Sequence, residues 1–348
     1  MSRQTALANI NLEDSPRWGH TEYSLEYHGD YLAERIGPPK GAPGFSRATH
    51  DRFEFDLLWS TNDGLTNWQK TGRVTDMGHA VYASDGSDQH APAKSPFESM
   101  EEVWEFDAVK EYGMPDFDEQ VRAYQDFITR SRERSPEQLT TGGYYKTVVS
   151  GAIQAFGWDM LLLAASDQDK MEAVLDSFCR RTLFHMEAWA KTDVEVVIQH
   201  DDFVWSAGAF MHPDYYRRVI IPMYARLWRP IHDAGKKVLF CYDGDFTEFA
   251  PDVAEAGADG FIFEPFMDFG GMVEKFGQTH CLVGSCVDCR DLTFGKWDKV
   301  ESDIDRTFEL LEGCRGAILA VGNHLPPNIP DEMMDRYFDC MLPKLAKR

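Results

Sequence analysis

Five short stretches of this chain gather the side-chain types that hold metal ions or move protons. They are His200-Asp201-Asp202, Cys241-Tyr242-Asp243, Glu264, Cys286-Val287-Asp288 and Asn323-His324. Each follows, within three residues, a short and mostly apolar run, at 194–198, 238–240, 260–263, 280–283 and 317–321. Such a density of carboxylate, thiol and imidazole needs a reason, because burying unpaired charge is costly. Three readings compete. In the first, Cys241, His324 and one or two of Asp243, Glu264 and Cys286 hold a zinc ion, which accepts S, N and O donors and keeps an open position when catalytic. Cys286 and Cys289 have CxxC spacing, but no second pair accompanies them. In the second, the carboxylates bind a polar ligand and shuttle protons without a metal. In the third, Cys241 and Cys286 pack as small apolar groups, while Asp202 and Asp288 cap loops and helix starts.

The elements that would position these residues are legible from residue 236 onward. The stretch 236–264 reads strand, polar tip, helix, strand, polar tip. Two parallel strands cannot be joined by a tight turn, so this is a βαβ crossover. Parallel α/β folds place their chemistry at the C-terminal ends of strands. Further strands are expected at 53–60, 145–150, 194–198, 280–283 and 317–321. Helices are expected at 117–133, 169–190, 213–234, 297–312 and 331–345, with Pro222 as a kink. Alternation predicts that Cys281 points into the helix layer. Strands separated by helices at near-regular spacing predict a (β/α)8 TIM-type barrel rather than an open sheet. The expected organisation is an irregular N-terminal extension over 1–50 and a single barrel over 51–348. Neither GxGxxG after a strand nor GxxxxGK[ST] occurs, so the sequence carries no dinucleotide or P-loop signal.

Composition narrows the partners. The chain has 348 residues and a formal net charge of -23. Phosphate contacts need clustered Lys and Arg, so neither nucleic acid nor an anionic membrane is an expected ligand. No apolar run is long enough to span a bilayer, and the first residues lack the apolar core of a signal peptide. A cytoplasmic protein is expected. Seven cysteines, an odd number in a large chain of this kind, argue against a disulfide framework.

At its strand ends the chain resembles the uroporphyrinogen decarboxylase superfamily. The motifs are HDDFVWSAGAFMHPDYYRRVIIPMY (200–224), VLFCYDGDFTEF (238–249), AGADGFIFEPFMDFGGMVEKFG (256–277), GSCVDCRDLTFG (284–295) and AVGNHLPPNIP (320–330). The resemblance implies a barrel and one of two activities. One branch decarboxylates the acetate side chains of uroporphyrinogen without a cofactor, using an arginine-rich N-terminal motif that residues 1–60 lack. The other branch moves methyl groups between a corrinoid protein and a thiol, methanol-derived or aryl methyl ether substrate. That branch has a zinc site built from a His-x-Cys pair and a distant Cys. Here Cys241 stands at the His position and Asp243 at the Cys position. Asn323 stands at or next to the distant Cys, with His324 beside it.

The resemblance therefore implies a methyltransferase with a metal, zinc by analogy, on Cys241, Asp243 and His324. Asp202, Glu264 and Asp288 would carry acid/base or positioning roles. His200, Asp201, Tyr242 and Asn323 would bind substrate, and a small corrinoid protein would dock at the barrel mouth. Barrels of this type often pair as homodimers, although no segment here marks an interface. A carboxy-lyase is the alternative, and a non-catalytic ligand-binding barrel is the third option.

Overall fold

The computed structural model describes residues 2–61, 68–75, 81–82, 88–89, 94–205, 207–322 and 324–347. Eleven strands are present among them: β1 (Gly19–His20), β2 (Leu57–Leu58), β3 (Val81–Tyr82), β4 (Asp88–Gln89), β5 (Leu139–Thr140), β6 (Gly142–Tyr144), β7 (Val196–His200), β8 (Lys237–Cys241), β9 (Gly260–Ile262), β10 (Cys281–Val283) and β11 (Ala317–Leu319). Seven form one parallel sheet in the order β1-β11-β10-β9-β8-β7-β6. β2 pairs in parallel with β5, and β5 and β6 are separated by Thr141 alone, so residues 139–144 join the two sheets. The ring closes between β1 and β2. Asp56 N–H donates to the His20 carbonyl at 2.8 Å, and Thr21 Oγ1 donates to the Leu57 carbonyl at 2.8 Å. Counting residues 139–144 as one stave, eight parallel staves surround a common axis. This is the expected (β/α)8 barrel.

The strand period of two divides the apolar residues into two layers. Leu57, Leu139, Val196, Ile198, Leu239, Cys241, Ile262, Val283 and Ile318 fill the barrel interior. Their neighbours Val197, Val238, Phe240, Phe261, Leu282 and Leu319 belong to the second layer, under the helices. Cys281 is in the interior group and not, as expected, in the helix layer. It opens β10 and alternates in phase with Val283.

The expected division at residue 50 does not exist in the fold. Gly19–His20 is a barrel stave, and Ala6 and Ile10 of the Arg3–Ile10 helix pack into the interior cluster. Two-residue strands without apolar alternation leave no sequence signal. The expected strand at 145–150 is also corrected: the strand is Gly142–Tyr144, and Val149–Phe156 is a helix. The helical stretch 213–233 contains a π-turn at Tyr216–Ile220 just before Pro222, whose ring carries no N–H to donate. Most of 76–93 lies outside the described residues. Among the described residues, no helix is long and apolar enough to cross a membrane.

Candidate metal centre at the barrel mouth

β7 and β8 run side by side with His200 and Cys241 in register. Val196 and Ile198 face the interior, so the same parity aims His200 inward at the C-terminal end of β7. On β8, Leu239 and Cys241 face inward, and Asp243 continues that side beyond the strand. Asp202 lies two residues past His200. One nitrogen or oxygen from each of His200, Asp202 and Asp243 falls within 4.8 Å of the others, the one such grouping of three or more His, Cys, Asp or Glu among the described residues. His200 Nε2 is 3.1 Å from Asp202 Oδ1 and 3.7 Å from Asp243 Oδ1. His200 and Asp202 are largely covered, whereas Asp243 keeps 35% of its side chain open to the mouth.

Several contacts hold this group in place. Tyr145 Oη donates to Asp202 Oδ2 at 2.5 Å, and its ring stacks on the His200 imidazole at 4.1 Å and 29°. Thr147 Oγ1 donates to the His200 carbonyl at 2.9 Å, and Asp202 N–H donates to Ser150 Oγ at 2.6 Å. Gly244 N–H, next to Asp243, donates to Glu264 Oε2 at 2.9 Å. Burial works against charge on His200, but the adjoining Cys241 sulfur and Asp202 carboxylate raise its proton affinity well above the ordinary value. Burial pushes the Cys241 thiol itself up to about 11.

The donor set fits a divalent ion. Ligand atoms about 2.0–2.2 Å from a first-row ion lie roughly 3–3.6 Å from one another; the 3.1 and 3.7 Å separations sit at that scale. Two carboxylates and one neutral imidazole would balance the charge of a dication. Tyr145 behind Asp202 is the type of outer partner that metal-binding carboxylates carry.

The sequence-predicted residues thus separate. His200, Asp202 and Asp243 come together. Cys241 is buried beneath them beside His200, outside the three-donor group, as is half-buried His324. Asn323 lies outside the described residues. Asp201, expected to bind substrate, is fully buried and turned into the helix layer, where it accepts from Ser150 N–H at 2.6 Å, Val149 N–H at 3.2 Å and Tyr224 Oη at 2.6 Å. Tyr242 is also buried there, 3.6 Å from the Phe246 ring centroid. The reason is the strand period: residues flanking an inward one face outward. Asp288 caps the Cys289–Thr293 helix through Arg290 N–H and pairs with the Arg290 guanidinium at 2.5 Å, the capping role weighed at the outset. Glu264 holds the loop of Asp243.

Three residues of the mouth escaped the sequence reading. Tyr145 follows β6 directly. Tyr23, beyond β1, stacks on Trp59, beyond β2, at 4.8 Å and 27°. Burial pushes the Tyr23 phenol up to about 12, and charge on His200 is near enough to pull it the other way. Trp59 Nε1 is buried without a hydrogen-bond partner among the described residues. Tyr145 and Trp59 directly follow their strands, whereas Tyr23 lies three residues past β1.

One family model, uroporphyrinogen decarboxylase, matches residues 77–341. No curated protein matches the chain. Among solved structures, a methyltransferase from Methanosarcina mazei superposes with a TM-score of 0.66, covering 99% of each chain at 17% identity. At that identity the likeness is one of fold.

Proposed function

The chain belongs to the uroporphyrinogen decarboxylase family, and we propose that within it this protein is a metal-assisted methyltransferase. The observation that carries the proposal is the His200–Asp202–Asp243 group at the barrel mouth. The arginine-rich N-terminal motif expected of a cofactor-free decarboxylase is absent from residues 1–60. The fold shared with a methyltransferase agrees with this reading.

His200, Asp202 and Asp243 would hold the ion, with zinc the first candidate and other first-row divalent ions suited to the same donors. Such an ion supplies Lewis acidity to the heteroatom that carries the methyl group. Asp243, the most open of the three, borders the position substrate would take. Glu264 fixes the Asp243–Gly244 turn. Tyr23, which keeps its proton at neutral pH, and Trp59 offer an O–H and an N–H donor beyond β1 and β2. The methyl group would pass to or from a corrinoid carried by a partner protein at the mouth.

Elemental analysis of untagged protein tests the metal. About one divalent ion per chain is expected, lost in His200→Ala and Asp243→Asn. Methyl donors are then screened against a cobalt(I) corrinoid. Protein that neither carries nor takes up zinc, manganese or iron would sink the metal reading. Metal-independent release of CO2 from a carboxylate substrate would replace methyl transfer with decarboxylation.

A further inference from the structure

The two oxygens of Asp202 have different neighbours. Oδ1 faces His200 Nε2 at 3.1 Å, on the side where Asp243 also points. Oδ2 accepts the 2.5 Å hydrogen bond from Tyr145. The carboxylate has little freedom to turn. Its own N–H is tied to Ser150 Oγ at 2.6 Å, and the segment carrying Tyr145 is tied to β7 through Thr147 Oγ1 and the His200 carbonyl. The Tyr145 ring lies on the imidazole, so one side chain orients two members of the group at once.

We propose that Tyr145 is a specificity-determining positioning residue: by occupying Asp202 Oδ2 it restricts that carboxylate to one-oxygen ligation and biases the site toward a low-coordinate first-row ion over calcium. The proposal rests on the reading of His200, Asp202 and Asp243 as a metal site. Calcium collects many oxygen donors and favours carboxylates that bind through both oxygens. Zinc and its neighbours are satisfied by few donors, each through one atom. With Oδ2 engaged, the group offers single-atom donors only from Asp202 and His200. Releasing Oδ2 would let Asp202 bind through both oxygens, which raises the coordination number.

The test compares wild type with Tyr145→Phe, which keeps the ring and its stacking while removing the hydroxyl. Affinities for Zn²⁺, Co²⁺ and Ca²⁺ are measured by competition with a chelating indicator, and the visible spectrum of the Co²⁺ form is recorded. The expected result is a roughly 10–100-fold loss of Zn²⁺ affinity in the variant, the usual cost of removing an outer partner. The Zn²⁺-over-Ca²⁺ preference narrows with it, and the Co²⁺ bands weaken toward those of a higher-coordinate ion. In an Asp202→Ala background, Tyr145→Phe should have no further effect, because its route of action is gone. Wild type that binds none of the three ions defeats the metal reading itself. Wild type that binds while Tyr145→Phe keeps the same affinities and the same Co²⁺ spectrum overturns the role of Tyr145 alone. An equal loss in the Asp202→Ala background also overturns it.

Discussion

Tyr242 and Asp243 are adjacent in the chain and opposite in fate. Asp243 faces the mouth, whereas the Tyr242 hydroxyl is buried among Phe240, Phe246 and the helix layer with no hydrogen-bond partner among the described residues. A buried, unsatisfied hydroxyl costs stability. Tyr242→Phe is therefore expected to raise the unfolding free energy by about 1 kcal/mol, read from the urea midpoint, with metal uptake unchanged. A drop in metal uptake would restore Tyr242 to the site. This pair also shows what was legible beforehand. The strand ends that carry chemistry were plain, because β7 and β8 are strongly apolar and end abruptly. Each polar tip was taken whole, however, and the strand period then divided it: His200, Cys241 and Asp243 inward, Asp201 and Tyr242 outward.

The elements before β7 were harder to read, for a physical reason. The Val149–Phe156 helix is only eight residues long and buried throughout, and its Val148-Val149 start looks like a strand. The true strand is Gly142-Gly143-Tyr144, where bulk is excluded. A Cβ on Gly143 would sit 2.6 Å from the carbonyl oxygen of Ser60, two residues past β2, and 2.7 Å from that of Ile198 on β7. Backbone cannot yield as a flexible side chain can. Gly143→Ala is expected to cost about 3 kcal/mol and, by displacing Tyr145 two residues on, to weaken metal binding. Thermal unfolding and the indicator titration measure the two effects. A fully stable Gly143→Ala protein would mean that the staves can spread at this point.

At the scale of the molecule, several histidines are kept neutral by their surroundings. Burial draws His50 down to about 4 and lowers His28, His185 and His280 as well. The unfolded chain accepts protons on these rings below about 6.5, and the folded chain refuses them, so stability is lost as the pH falls from about 6.5 toward 4. In the metal-free protein His200 acts in the opposite sense, its raised proton affinity favouring the fold on the acid side and losing that advantage as the pH rises. Urea midpoints measured across this range should fall with acid. His50→Gln should flatten the fall, and an unaltered slope in that variant would remove His50 from the explanation.

The closure of the ring sets an order of manufacture. Glu22, just beyond β1, receives Val321 N–H, 299 positions away in sequence, at 2.9 Å and the Tyr337 hydroxyl at 2.7 Å. A ribosome releases the first stave long before it has made the last. Through nearly all of synthesis the growing sheet has two raw edges, and pairing over such a separation is slow to find. The final stave and the helix behind it act as a clasp that arrives last. A product ending before β11 would not be a smaller working barrel. It would be an unclosed ribbon, with edges able to pair with another chain.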